Sequence, residues 1–257
     1  MKTIPLLLLA IVLAGLATTP QDKELWPKWD KGKVQKMLNS SPWAQTQTDT
    51  DTSEMTYSPT TATGSSSIGS TASSSAGNGN VTRDGRDVQG SRTDRGASNQ
   101  AMSVNYHVRF LSARPIRQAF ARMIEIQEKE NKAVREQLGP FVERDFSDYI
   151  VVAVSFDAPD KRFEGPVLQA FSSATGGTLK TKAYLERSDG QRLFVIDYKP
   201  PINDGLGAKF VFPRTVDGQP FLTETGDVRF VAQISDKINV NTKYKLHDMM
   251  YEGKLEY

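Results

Sequence analysis

The sequence contains no cysteine and only two histidines among 257 residues. The first absence excludes disulfides, thiolate metal sites, iron–sulfur clusters and cysteine nucleophiles together. The second leaves His107 and His247 as the whole imidazole supply, without the H-E-x-x-H spacing of a zinc hydrolase. No metal and no cofactor is therefore expected. Serine is abundant, yet no G-x-S-x-G elbow occurs, and "ATGGTLKT" lacks the Gly-Lys-Ser/Thr of a phosphate loop. A charge excess is missing too: 32 Lys+Arg against 30 Asp+Glu gives +2. That balance does not suggest a nucleic-acid or anionic-membrane partner.

Long apolar runs are also scarce. The one at Ile4–Leu13 follows a lysine and ends in small residues at Gly15 and Ala17. This is the pattern of a secretory signal peptide spanning 1–17, cut after Ala17. A spanning helix needs about 20 apolar residues, so a retained anchor is the alternative reading. The expected location is secreted or periplasmic, with no integral membrane segment after cleavage.

From Thr46 to Thr82, 19 of 37 residues are Ser or Thr. Such a stretch cannot bury enough apolar surface to offset its ordering entropy, so residues 48–102 read as a disordered insert. Asp84, Asp87 and Asp94 offset most of the arginine charge at its far end, against a basic recognition arm. Asp49, Asp51 and Glu54 sketch a calcium loop, but its glycine turn is absent. Asn39 and Asn80 fit the N-glycosylation pattern.

Residues 22–47 read as the start of the main domain. Asp30 can cap a short helix carrying Val34, Met37 and Leu38, and Pro42 stops it. "WAQTQT" alternates as a strand does, and so does "SVNYHVRFLSA" beyond the insert. Pairing the two satisfies both backbones and makes the insert an oversized hairpin loop, whose closure entropy grows only with the logarithm of its length; a linker between two domains is the alternative. Trp43 is then a core residue.

Residues 103–257 complete the domain. "SARPIRQAFARMIEIQEKENKAVREQLGP" reads as one long helix, capped by Ser112 and stopped by Gly139 and Pro140. Its apolar stripe, Ile116, Ala119, Phe120, Met123 and Ile124, is expected to pack on a sheet. "DYIVVAVSF" reads as a strand buried on both faces. "GPVLQAFSSATGG" reads as a short helix ended by its glycines, and "TLKTKAYLER" starts a run of strands separated by turns. The expected class is α+β: an antiparallel sheet or sandwich, one long amphipathic helix packed on it, and a short N-terminal helix. The terminal "KLEY" is expected to be tied into the sheet.

The segments "KVQKMLNSSPWA", "VRFLSARPIRQA", "DYIVVAVS", "FVFPR" and "KYKLHDMMYEGKLEY", in that order around a low-complexity insert, resemble a group of uncharacterised secreted bacterial proteins. The resemblance covers most of the chain outside the insert. It implies export and a shared fold, and it implies no activity or site residues. It agrees with Trp43 and Arg109 lying on neighbouring elements.

For chemistry, the acidic loop or strand-end candidates are Asp157, Asp160, Glu164, Asp197 and Asp204. Paired carboxylates among them could hydrolyse a glycosidic bond, since their separation is set by the fold. Trp26 and Trp29 could stack on a sugar, although anchors into the domain's own core fit their position better. His107 and His247 read as surface or edge-strand residues. The leading expectation is an exported, non-enzymatic binding or scaffolding module with a protein or glycan partner in the cell envelope. The alternative is a metal-independent hydrolase using paired carboxylates on a cell-wall or polysaccharide substrate. No catalytic residue is assigned.

Overall fold

A computed structural model of the chain describes residues 25–51, 102–128 and 132–257. The expected signal peptide and most of the expected insert, with Glu54 and Asn80, lie outside the described residues. The insert's bounds are narrower than expected. Residues 48–51 and 102 belong to strands, so Asp49 and Asp51 sit on a ladder and not in a calcium loop.

Helix α1 (Lys31–Asn39) starts where Asp30 accepts a 2.7 Å bond from the Lys33 amide. Ser41 donates back to the Met37 carbonyl at 2.7 Å as the helix ends before Pro42. Strand β1 (Ala44–Asp51) then pairs antiparallel with β2 (Met102–Phe110), from Ala44 opposite Arg109 to Asp51 opposite Met102. The segment between them therefore leaves and re-enters at one point, which is the hairpin arrangement expected from alternation. Trp43 is 5% exposed, in the core as expected.

The long helix is instead two. Helix α2 (Arg114–Gln127) ends at Glu128, which leaves helical dihedrals at φ −108°, ψ 47°. Helix α3 (Lys132–Val142) follows, with Pro140 inside it. The break falls in the charged stretch "EIQEKENK", which has no apolar face to hold a continuous helix on the sheet. Pro140 is accommodated in the last turn of its helix, which runs on to Val142, so Gly139-Pro140 is not the stop. Nor does Ser112 cap α2; its hydroxyl accepts from the Val151 amide at 3.0 Å, and Ala113 occupies the cap without a side-chain bond. Among the stripe residues, Ile116, Ala119 and Phe120 are fully buried.

Strand β3 (Tyr149–Asp157) is buried on both faces from Ile150 to Val154, as its composition requires. Helix α4 (Glu164–Ser173) ends before the glycines, and these open the one-turn helix α5 (Gly176–Leu179), capped by Thr175. The next strand is accordingly shorter than expected, β4 (Ala183–Arg187). Then come β5 (Arg192–Phe194), β6 (Asp197–Lys199) and β7 (Ala208–Pro213). A small hairpin, β8 (Thr215–Val216) with β9 (Gln219–Pro220), leads to β10 (Asp227–Gln233) and β11 (Asn239–Lys245).

These strands form a five-stranded sheet, β1-β2-β3-β7-β6, and a four-stranded sheet, β11-β10-β4-β5, all antiparallel. The sheets face each other through rings. Phe210 and Phe230 have centroids 5.2 Å apart, and Phe110 meets the edge of Tyr244 at 4.9 Å. At one side the Gln47 amide closes the sandwich, donating to the Asn239 carbonyl at 2.9 Å and accepting from the Asn241 amide at 2.7 Å. At the other side the chain itself crosses over. Val195 bonds to β4 through Ala183, and Ile196 bonds to β7 through Val211. The expectation of an α+β chain built on an antiparallel sandwich is met.

The C-terminal segment makes its own hairpin, β12 (Met250–Tyr251) with β13 (Lys254–Leu255), and joins neither main sheet. It is held by side chains instead. The Trp43 indole donates to the Glu256 carbonyl at 2.7 Å, and the Arg114 amide donates to the Glu256 carboxylate at 2.9 Å.

Candidate functional site

Two polar constellations follow from this architecture. The first lies on the outer face of the five-stranded sheet. Register there aligns Thr48, Asn105 and Asp157 in one row, and Thr46, His107 and Ser155 in the next. Asp157 accepts from Asn105 at 3.2 Å and from the His107 ring, whose other nitrogen lies 2.9 Å from the Thr46 hydroxyl. Thr46 also donates to the Asn39 carbonyl at 2.9 Å. Its single proton cannot serve both acceptors at once. With neutral imidazole, His107 spends its one N–H on Asp157 and competes with Asn39 for the threonine proton.

Burial pushes the His107 imidazole below its ordinary value, more than the bond to Asp157 raises it. Desolvation acts to raise the Asp157 carboxyl, but the bonds from His107 and Asn105 outweigh it and hold the carboxyl low. In sequence His107 reads as a surface or edge-strand residue. In the fold β2 is interior to its sheet, and the imidazole is mostly covered while its partner Asp157 is half exposed. His247 is exposed beside Asp248.

A hydroxyl, an imidazole and a carboxylate in series have the composition of a nucleophile chain. Here the hydroxyl is tied to a carbonyl on an open sheet face. The neighbouring Arg109 is also tied down. It donates to the Leu38 carbonyl at 2.6 Å, to Ser155 at 2.6 Å and to the Asn39 side chain at 2.9 Å. Burial pushes its guanidinium down to about 10. It braces α1 against the sheet.

The five acidic candidates do not converge as a catalytic pair. Asp160 is bound by Arg162, Glu164 by Lys161 at 2.5 Å, Asp197 by Lys199 at 2.8 Å, and Asp204 by Lys209 at 2.6 Å. The carboxyls of Asp157, Asp160, Glu164 and Asp197 are all held below their ordinary range. A glycosidase acid needs the opposite, a carboxyl raised towards neutrality. Trp29 is buried and Trp26 packs partly on the core, so both are anchors.

The second constellation is a cleft of about 310 Å³. It is lined by Ser112, Arg117, the turn 143–147, Arg214 and Glu256. Arg117 is 5% exposed. Its Nε donates to the Val142 carbonyl at 2.9 Å, and its Nη1 reaches the Leu111 and Ser112 carbonyls. Phe146 lies 4.8 Å from its guanidinium. Arg214 donates through Nη1 to the Phe146 carbonyl at 3.3 Å and to the Tyr257 main-chain oxygen at 2.8 Å, stacked 4.0 Å from the Tyr257 ring. Arg144 is exposed on the rim.

Among the described residues no Asp or Glu side chain forms an ion pair with Arg117, Arg144 or Arg214, and the oxygen that Arg214 meets at 2.8 Å belongs to Tyr257, the last residue of the sequence. Burial pushes the Arg117 guanidinium down, with Glu256 and Glu143 partly offsetting that and Arg214 opposing them. Composition could not single these arginines out of 32 basic residues. The one available signal was that "RPIRQA", "FPR" and "GKLEY" stand out as segments; the fold brings all three to this cleft.

No protein-family description matches the chain, and no curated protein does. Among solved structures, a novel protein of unknown function from Burkholderia pseudomallei K96243 aligns over 55% of this chain and 74% of its own, at 7% identity and a TM-score of 0.36. A likeness that slight carries no argument about fold or activity. Among the described residues there is no group of three or more His, Asp or Glu placed to hold a metal ion, and no helix is long and apolar enough to cross a membrane.

Proposed function

We propose that the chain is an exported, non-enzymatic binding module whose ligand seat is the arginine cleft. Export rests on the signal-like pattern at 1–17 and on the resemblance to secreted bacterial proteins. The observation that supports the seat is the pair Arg117 and Arg214: two guanidiniums pinned by main-chain oxygens, lining a cavity, with no Asp or Glu side chain bonded to either. Fixed donors cost little reorganisation when a ligand arrives, which is what a binding site requires. The four lowered carboxyls weigh against the paired-carboxylate hydrolase. The Ser/Thr-rich segment leaving from Asp51 and returning at Met102 acts in this reading as a tether or reach-extending loop. Its partner is a protein or glycan of the cell envelope. The test is recovery of the tagged protein from its native envelope after mild cross-linking. A specific protein or glycan should accompany it; recovery with neither rejects the module.

A further inference from the structure

We propose that the lysine face of helix α1 docks the protein on a bilayer surface rich in anionic phospholipid, a contact separate from the arginine cleft. The whole-chain charge of +2 conceals a local excess. Residues 28–36 hold four lysines, Lys28, Lys31, Lys33 and Lys36, against the single acid Asp30. All four lysines are exposed, while Val34 and Leu38 bury the opposite side of the helix. At 3.6 residues per turn, Lys36 points directly away from the Val34–Leu38 stripe, and Lys33 stands one turn before it. Lys28, Lys31 and Lys36 form no ion pair among the described residues. Lys33 lies 5.1 Å over the Trp29 ring. On α2, which packs beside α1, Glu125 is paired with Arg122.

This placement works against the helix itself. Lys31 and Lys33 stand at its positive end, where carboxylates are favoured, and the first turn holds no acid. Lys33 and Lys36 are three residues apart and repel one another. An anionic surface relieves both effects at once. What stands at the head of the segment favours phospholipid over a soluble polyanion. Leu25 is 67% exposed, and Trp26 is only partly packed on the core. An aliphatic side chain and an indole beside lysines suit a membrane surface, where apolar groups enter at headgroup level and ammoniums meet the phosphates. The apolar run Ile4–Leu13 stops shortly before Leu25, within an extended reach of about 40 Å. A chain whose run lies in a bilayer therefore holds these lysines close to its surface.

The experiment is co-sedimentation of the full chain with vesicles of phosphatidylcholine alone, and with about one third phosphatidylglycerol. Binding to phosphatidylcholine alone reads what the apolar run contributes; the gain with phosphatidylglycerol reads the lysines. Combining Lys28→Gln, Lys31→Gln and Lys36→Gln should weaken binding to the anionic vesicles by about a hundredfold, about fivefold for each lysine. Leu25→Ser should weaken it by about fivefold. The triple variant should unfold at the same or a higher temperature, because it removes charge from the positive end of the helix. No gain with phosphatidylglycerol, or a triple variant that binds as tightly as the natural chain, overturns the proposal. Anionic binding indifferent to Leu25→Ser rejects a lipid surface in favour of a polyanion held by charge alone. A lower unfolding temperature in the triple variant refutes the electrostatic argument.

Discussion

Removing Arg109 tests whether the outer face of the five-stranded sheet is structural. The side chain is 6% exposed and makes three hydrogen bonds that join β2 and β3 to the end of α1. Arg109→Ala deletes all three donors at once. The Leu38 carbonyl is left buried without that partner, at about 1–3 kcal/mol. Ser155 and Asn39 are partly exposed and recover some solvation from water, so each adds about 0.5–1 kcal/mol. The guanidinium also lies 5.4 Å from the Phe120 ring, worth about 0.5–1 kcal/mol more. The total is about 2.5–6 kcal/mol, which spans the range for breaking a buried charged network. Urea unfolding followed by tryptophan fluorescence reads it well, because Trp29 and Trp43 are both buried. Arg109→Lys should recover only part of the loss, since one ammonium cannot reach three acceptors in different directions. A loss below about 1 kcal/mol for Arg109→Ala would refute the bracing role and return Arg109 to the list of ligand-binding candidates.

Three further outcomes are expected. Gly207 has φ +85°, and a Cβ there would sit 2.3 Å from the Val154 carbonyl oxygen. Gly207→Ala should destabilise by about 2–4 kcal/mol in thermal unfolding, and a neutral result would contradict the close approach of the 204–207 turn to β3. Because folding lowers the His107 pKa from its ordinary 6.5, the unfolded chain binds more protons, so stability should fall as pH drops through 6.5. Asp157, lowered from 3.8, adds a second loss as pH falls through the carboxylate range; in His107→Gln the first step should vanish, and a first step that persists in that variant rejects the assignment. Deleting Thr52–Gly96 shortens a loop of about 50 residues to about five and should leave a cooperative transition, stabilised by about 2 kcal/mol from loop closure. Loss of cooperativity in that protein would mean that the β1–β2 pair depends on the insert.

What could be read in advance was what local chemistry decides. Alternation at 43–48 and 103–111 named the right strand pair, because period-two burial survives whatever the intervening loop does. Asp30 and Pro42 bounded α1 for equally local reasons. The break between α2 and α3 was missed because periodicity in the 116–124 stripe was carried through a charged stretch that has nothing to pack against. Thr175 was overlooked as a cap because its two glycines read as a stop; the threonine before them makes them a start. Ser112 had two uses open to it, and only the approach of β3 decided between them. The cleft was illegible for a different reason. Its arginines come from 114–117 and 214, its rim from 143–147 and 256, and nothing in one sequence says these positions meet.

The most direct test of the central claim is co-purification of the tagged protein from its native envelope, compared between the natural sequence and Arg144→Glu at the rim of the cleft. The account predicts a specific protein or glycan that accompanies the natural protein and is weakened or lost in the variant. Recovery of the natural protein with no partner, or a partner indifferent to Arg144→Glu, would contradict it.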